Sequence, residues 1–176
     1  MLYTGKGDDG TTQLFGLCDQ RISKSSAVAE ALGTLDEVNS FLGVVKMYKE
    51  AGAISNILND VQQNLFIVQA EVAGADKHIT ADKVQETESI INAIEGELPP
   101  IKSFFVSGGT ELAALVDFSR TLARRAERRV VGVAEEGMIV ISKDTLAYLN
   151  RLSSLLYAIA RQTNHKSGIT EESPTY

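Results

Sequence analysis

The 176-residue chain contains no tryptophan, one cysteine, three prolines and two histidines. Each shortage closes off a class of answer. Cys18 alone cannot form an internal disulfide or a thiolate metal site; it fits a reducing compartment, and with no histidine near it in sequence it is a weak nucleophile candidate. His78 and His165 stand apart, without metal-ligand spacing, and read as surface residues. With proline confined to Pro99, Pro100 and Pro174, long stretches are free to be helical. No apolar run approaches the ~20 residues that a membrane helix needs. The N-terminus shows neither an apolar signal core nor an Arg-rich amphipathic leader, so a cytoplasmic protein without a cleaved targeting segment is expected.

Positive charge is scarce overall and concentrated locally. The formal net charge is −6, from 17 basic and 23 acidic side chains. Yet five of the arginines fall between Arg120 and Arg129 with only Glu127 opposing them, which gives that stretch +4 and leaves −10 for the remainder. A globally acidic chain repels polyanions at long range, which argues against general binding of nucleic acid or an anionic membrane. The cluster points instead to a compact anion or to internal ion pairs.

With 44% hydrophobic residues the chain can bury a core as a single domain, residues 1–176. Residues 1–24 carry Gly5, Gly7, Gly10 and Gly16 among polar residues without helical period, and read as an extended arm. Helical seams follow: Val28, Ala31, Leu35, Val38, Leu42 and Val45, then Ile54, Leu58, Val61, Leu65, Val68 and Val72. A shorter run with Val84, Ile91, Ile94 and Leu98 starts after Thr80 as N-cap and stops at Pro99. Residues 101–107 look strand-like but are too short to found a sheet. Gly108-Gly109-Thr110 opens a helix to about Glu136, and a last helix starts near Ser142 or Asp144. The tail, 163–176, is polar and is expected to fray. The fold class is therefore all-α, an antiparallel five-helix bundle preceded by a glycine-rich extended segment.

Three constellations could carry chemistry. Arg120, Arg124 and Arg128 recur every four residues and share a helix face with Glu127, whereas Arg125 and Arg129 form a second row about 100° away. Such a stripe repels itself unless anions cover it. Either it is a solvated or internally paired face, or its forked donors serve a polyphosphate or carboxylate. The segment Thr4-Gly5-Lys6-Gly7-Asp8-Asp9-Gly10-Thr11-Thr12 lacks the Gly-Lys-Ser/Thr close of a Walker A loop and no strand–helix unit follows it. It is a flexible arm, or a loop whose backbone N–H groups and threonine hydroxyls gather around an anion with Lys24 beside it. Finally, Asp36 and Glu37 lie within one apolar helix, and Asn150 and Arg151 within another. Asp36 is an exposed helix residue or the partner of one of the arginines.

In the order YTGKGDDGTT, RISK, GTLDEVNSFLG, FFVSGGTE, RTLARRAERR and YLNRLS, from Tyr3 to about Arg161, the chain resembles the PduO-type ATP:cob(I)alamin adenosyltransferases. The resemblance implies homotrimers of five-helix bundles with active sites between subunits, transferring the 5′-deoxyadenosyl group of ATP to the cobalt of cob(I)alamin with Mg²⁺ assisting. It implies that Thr4, Gly5, Lys6, Gly7, Thr11, Thr12 and Lys24 surround the triphosphate. Arg124 and Arg128 contact the phosphates, Glu127 organises the site, and Asn150 reaches the nucleotide from the last helix. Asp36 pairs with Arg120 across the subunit boundary, and Phe104 presses on the lower corrin face. A reductase or a cobalamin-dependent enzyme is the further partner implied, and no residue set for a resident metal. The chain departs from the family pattern at Gly5-Lys6, at Asp9 where lysine is common, and at Ser107 where proline is frequent. The reading from another class is a non-catalytic trimeric helical protein that binds ATP or polyphosphate as a sensor or carrier.

Overall fold

A computed structural model describes residues 3–14 and 20–176, with the side chain of Ala53 left aside; Gly16 and Cys18 lie outside the described residues. Two short strands, β1 (Thr11–Gln13) and β2 (Arg21–Ser23), pair antiparallel with Thr12 opposite Ile22. The arm is thus folded back on itself rather than simply extended. Five helices follow: α1 (Ala27–Val45), α2 (Ser55–Val72), α3 (Ala81–Glu95), α4 (Glu111–Glu136) and α5 (Lys143–Lys166), with a 3₁₀ turn at Lys49–Ala53. The helix starts follow local chemistry. Ser26, Thr110 and Ser142 each accept a hydrogen bond from the backbone N–H three residues on, satisfying one of the donors a helix N-terminus leaves open. Thr80 occupies the same position before α3 without such a bond.

The seams meet as expected from their period. Val28, Leu35, Val38 and Leu42 of α1 and Leu58, Leu65, Val68 and Val72 of α2 are fully or almost fully buried. The centre is α5, whose Leu149, Leu152, Leu156 and Ile159 are completely buried; α4 packs against both α5 and α1, and α3 packs on α5. This arrangement leaves the outer face of α4, with its arginines, facing away from the core.

Two segments behave differently from the sequence expectation. Residues 101–107 form no strand; their β-like run finds a single backbone bond, from Val106 N to Glu172 O at 2.8 Å. A three-to-seven-residue apolar run without an adjacent strand has no ladder to join. The C-terminal tail supplies that bond because α5 continues to Lys166 and the chain then turns back across the 99–107 segment. The cause is Arg161, only 5% exposed, whose guanidinium pairs with Glu171 at 2.9 Å, donates to Pro99 O at 3.1 Å and lies 5.2 Å from the Phe105 ring centre. A buried cation needs a counter-ion, and the tail brings one.

A second buried charge sets the start of α5. Glu71, at the end of α2, is 6% exposed and accepts from Ser142 N at 2.6 Å and from the Thr145 hydroxyl, while Thr145 Oγ1 also accepts from Ile79 N at 3.2 Å. Removing the carboxylate leaves those donors unpaired in the interior. Glu71→Ala is therefore expected to destabilise the fold by about 2–4 kcal/mol. Urea unfolding checks this; a change within about 0.5 kcal/mol would mean the network contributes nothing beyond ordinary surface substitution.

Candidate functional site

The N-terminal loop is a built structure. Gly5 O accepts from Asp8 N at 3.2 Å, Gly7 O from Gly10 N at 3.2 Å, and Gly10 O from Lys24 N at 2.9 Å. Arg21 reaches back from β2, donating from Nε to Thr11 Oγ1 at 2.6 Å and from Nη2 to Thr11 O at 3.0 Å and to Lys6 O. Lys24 Nζ donates to Gly7 O at 2.8 Å, so the lysine sits beside the glycine loop. A Cβ at Gly7 would lie 3.0 Å from Lys24 Nζ and 3.1 Å from Thr11 O, so glycine is what permits that approach.

Asp9 is used within the loop. Its carboxylate accepts from the Thr11 hydroxyl at 2.7 Å and from Thr11 N at 2.9 Å, with Arg21 at 3.8 Å. The hydroxyl bond, then the backbone bond, hold its carboxyl below the usual carboxylate range. Both Thr11 donors are thereby spent inside the loop, while Thr4 and Lys6 stay exposed.

On α4 the two arginine rows separate. Arg125 pairs with Glu37, and Arg129 lies 3.5 Å from Glu30, both carboxylates from α1. Arg120 is held at 2.6 Å by Asp117 one turn earlier, and its guanidinium carbon lies 5.8 Å from the centre of the Tyr157 ring, whose hydroxyl pKa is raised by burial. Arg124 and Arg128 are exposed and have no ion-pair partner among the described residues. Glu127 turns toward α5, accepting from Asn150 Nδ2 at 3.0 Å.

Beside this face is a cavity of about 850 Å³ lined by Phe104, Phe105, Arg120, Arg124, Tyr157 and Asn164 among others. Phe104 is 82% exposed at its edge. Its segment is fixed by Asn164, whose Oδ1 accepts from Thr110 N at 2.9 Å and whose Nδ2 donates to Gly108 O at 2.9 Å. Gly109 adopts φ +101°, and a Cβ there would fall 2.2 Å from Asn164 Oδ1, so no other residue fits.

The chain thus brings Phe104, Arg120 and Arg124 along one cavity, Glu127 against Asn150, and Lys24 against Gly7. It does not join the two halves: among the described residues, the loop of residues 3–14 makes no hydrogen bond or ion pair to the arginine face. Asp36 is exposed and makes no contact with Arg120. The chemistry available is cationic binding at the edge of an aromatic-lined hollow. Tyr157, Asn164, Asp117 and Arg21 were not singled out from sequence. Asn164 and Arg21 each carry one weak signal, a polar residue inside an apolar helix and an arginine beside a glycine-rich run.

A model of the cobalamin adenosyltransferase family matches residues 2–163. The chain is 38% identical over 171 residues to the corrinoid adenosyltransferase PduO of Citrobacter freundii, a match covering 93% of this chain and 50% of that protein. It is 38% identical over 176 residues to the corrinoid adenosyltransferase of Bacillus subtilis, covering 96% and 89%. It therefore spans about half the length of the PduO relative and most of the Bacillus one. Among solved structures, a phenylalanine-to-alanine variant of a PduO-type ATP:corrinoid adenosyltransferase from Lactobacillus reuteri, complexed with cobalamin and ATP, superposes with TM-score 0.91 at 30% identity over 100% of both chains. An arginine-to-lysine variant complexed with ATP gives 0.89 at 29% identity, covering 99% of this chain and 100% of that one. The five-helix architecture agrees with these matches: the chain belongs to the cobalamin adenosyltransferase family.

Proposed function

We propose that this protein transfers the 5′-deoxyadenosyl group of ATP to the cobalt of cob(I)alamin, forming adenosylcobalamin and releasing triphosphate. The observation that carries the reading is Arg124, a guanidinium without an ion-pair partner among the described residues on the wall of the cavity that also holds Phe104. An uncommitted cation beside an aromatic hollow suits a ligand pair of which one is polyanionic and the other largely apolar. The structures that superpose on the chain hold ATP, or ATP with cobalamin.

The reaction needs little from side chains as acids or bases. The electron pair of Co(I) forms the bond to C5′, and the C5′–O bond breaks with its pair going to triphosphate. Negative charge therefore builds on the departing oxygen. Arg124 and Arg128, with Lys24 and the loop N–H groups, would stabilise it where it develops. Fixing both substrates in line supplies the remaining gain. Phe104 would cover the lower cobalt face, excluding water or a base and making the metal easier to reduce beforehand. The cobalt has to arrive reduced, so a reductase is the expected supplier and a cobalamin-dependent enzyme the recipient. That setting, and the single cysteine, fit the cytoplasm.

Mg²⁺ belongs to the same proposal. Among the described residues no group of three or more His, Cys, Asp or Glu side chains could hold a metal ion. An ion carried by phosphate oxygens needs only one or two protein carboxylates. When bound, the ion would offset triphosphate charge.

A homotrimer would complete the site. The loop and the arginine face are unjoined within one protomer, and the exposed Asp36 is free to meet Arg120 of a neighbour, which would exchange or share its bond to Asp117.

Three outcomes are expected. With MgATP and chemically reduced cobalamin, the cob(I)alamin spectrum decays in proportion to added enzyme; ATP binding without alkylation would favour a sensor or carrier instead. Arg124→Ala lowers kcat/KM by about 10²–10³-fold, whereas Arg129→Ala, which removes only an exposed pair, changes it by about threefold or less. Equal losses in steady-state kinetics would undo the division of the arginines. Asp36→Ala shifts sedimentation toward smaller species and lowers activity with it; a variant with unchanged assembly and full activity would leave Asp36 as an exposed helix residue only.

A further inference from the structure

Asn150 is held from both sides. Arg151 Nη1 donates to Asn150 Oδ1 at 2.7 Å, and Asn150 Nδ2 donates to Glu127 Oε1 at 3.0 Å. Arg151 is in turn held by α3, with its Nε donating to Glu88 Oε1 at 2.8 Å. One chain of hydrogen bonds thus runs from Glu88 on α3 through Arg151 and Asn150 on α5 to Glu127 on α4.

The polarity of the chain is forced by its members. A guanidinium only donates and a carboxylate only accepts, so the amide between them has one orientation available. The guanidinium is planar and gripped at two edges, which fixes the plane it presents to Asn150. Arg151 and Glu88 are both 40% exposed at their side chains, where an ion pair contributes little to stability. Orientation is what the pair is suited to provide.

What the chain orients is Glu127. It lies three residues after Arg124 and directly before Arg128, and residues three apart on a helix are close enough to pair. A Glu127 free to swing would neutralise Arg124 and compete with phosphate for it. Held toward α5, it does not.

We propose that Arg151 and Glu88 are positioning residues of the nucleotide site: they lock the Asn150 amide so that it draws Glu127 away from Arg124 and leaves that guanidinium open to the triphosphate. This rests on the reading of Arg124 as a phosphate ligand, and the test separates the two. MgATP binding is measured by calorimetry on the full chain for the wild type, Arg151→Ala, Glu127→Gln and the double variant. Arg151→Ala weakens MgATP binding about 3–10-fold in the wild-type background, the loss expected from one ordinary hydrogen bond at a partly exposed site. In the Glu127→Gln background the competing charge is gone, so the same substitution changes binding by about twofold or less.

A purely structural role for Arg151 would give the same factor in both backgrounds, and that result overturns the proposal. So does an unchanged affinity in Arg151→Ala. Glu88→Ala, placed farther from the ligand, reproduces the weakening and its dependence on Glu127 if Arg151→Ala folds poorly; no effect of Glu88→Ala overturns the part assigned to Glu88. Loss of binding in Arg124→Ala with none in Arg151→Ala removes the positioning role while keeping the phosphate site. A wild-type chain that binds no MgATP removes both.

Discussion

The constraint behind this structure is the crowding of like charge on one helix. Five arginines within ten residues of α4 repel one another, and a fold that keeps them must decide which to neutralise. Here α1 takes the outer row, presenting Glu37 to Arg125 and Glu30 to Arg129. Asp117 takes Arg120. Arg124 and Arg128 are left over, and the acidic residue nearest them in sequence, Glu127, is bound by Asn150 instead. These exposed pairs add little stability, on the order of 0–1 kcal/mol each. Their consequence is electrostatic: among the described residues, two guanidiniums remain without an ion-pair partner at the point where a polyanion would be received.

The rest of the chain supports that face. A core of α5 against α4, α1 and α3 fixes the helix that carries the arginines. Asn164, rising from the same α5, clamps the Gly108–Thr110 turn and with it the segment bearing Phe104. Arg161, one turn earlier, draws the tail across that segment through Glu171. Arg21 does the same work at the N-terminus, closing the glycine loop on Thr11 and Lys6. Polar contacts of this kind link short irregular segments to a rigid apolar frame, so the flexible-looking parts of the sequence inherit their positions from helices.

Much of the frame was legible in the sequence because burial imposes a period. The α1 and α2 seams, the Thr110 and Ser142 caps and the division of the α4 arginines into two rows all follow from 3.6 residues per turn. The partners of those arginines were not legible. Glu30 and Glu37 meet Arg129 and Arg125 only because α1 lies along α4, and no local pattern encodes which helices are neighbours. The same holds for Glu88 and Arg151, 63 residues apart, and for Glu71 with Thr145. The tail differs from its expectation for a related reason: its polar composition suggests fraying, but a buried cation elsewhere in the chain requires its glutamate. Residues 101–107 have β-like composition but are too short to found a sheet, and such composition acts only when a neighbouring strand is present. The proposed subunit contact through Asp36 needs a second copy and rests on the family resemblance.

The claim that α4 keeps two guanidiniums open for a triphosphate is tested most directly by competition binding with a graded ligand series. ATP, ADP, AMP, adenosine and inorganic triphosphate are compared for their ability to displace a fluorescent ATP analogue from the wild-type chain. Affinity is expected to fall with each phosphate removed, and inorganic triphosphate on its own to compete. Adenosine or AMP binding as tightly as ATP, with triphosphate failing to compete, would contradict it.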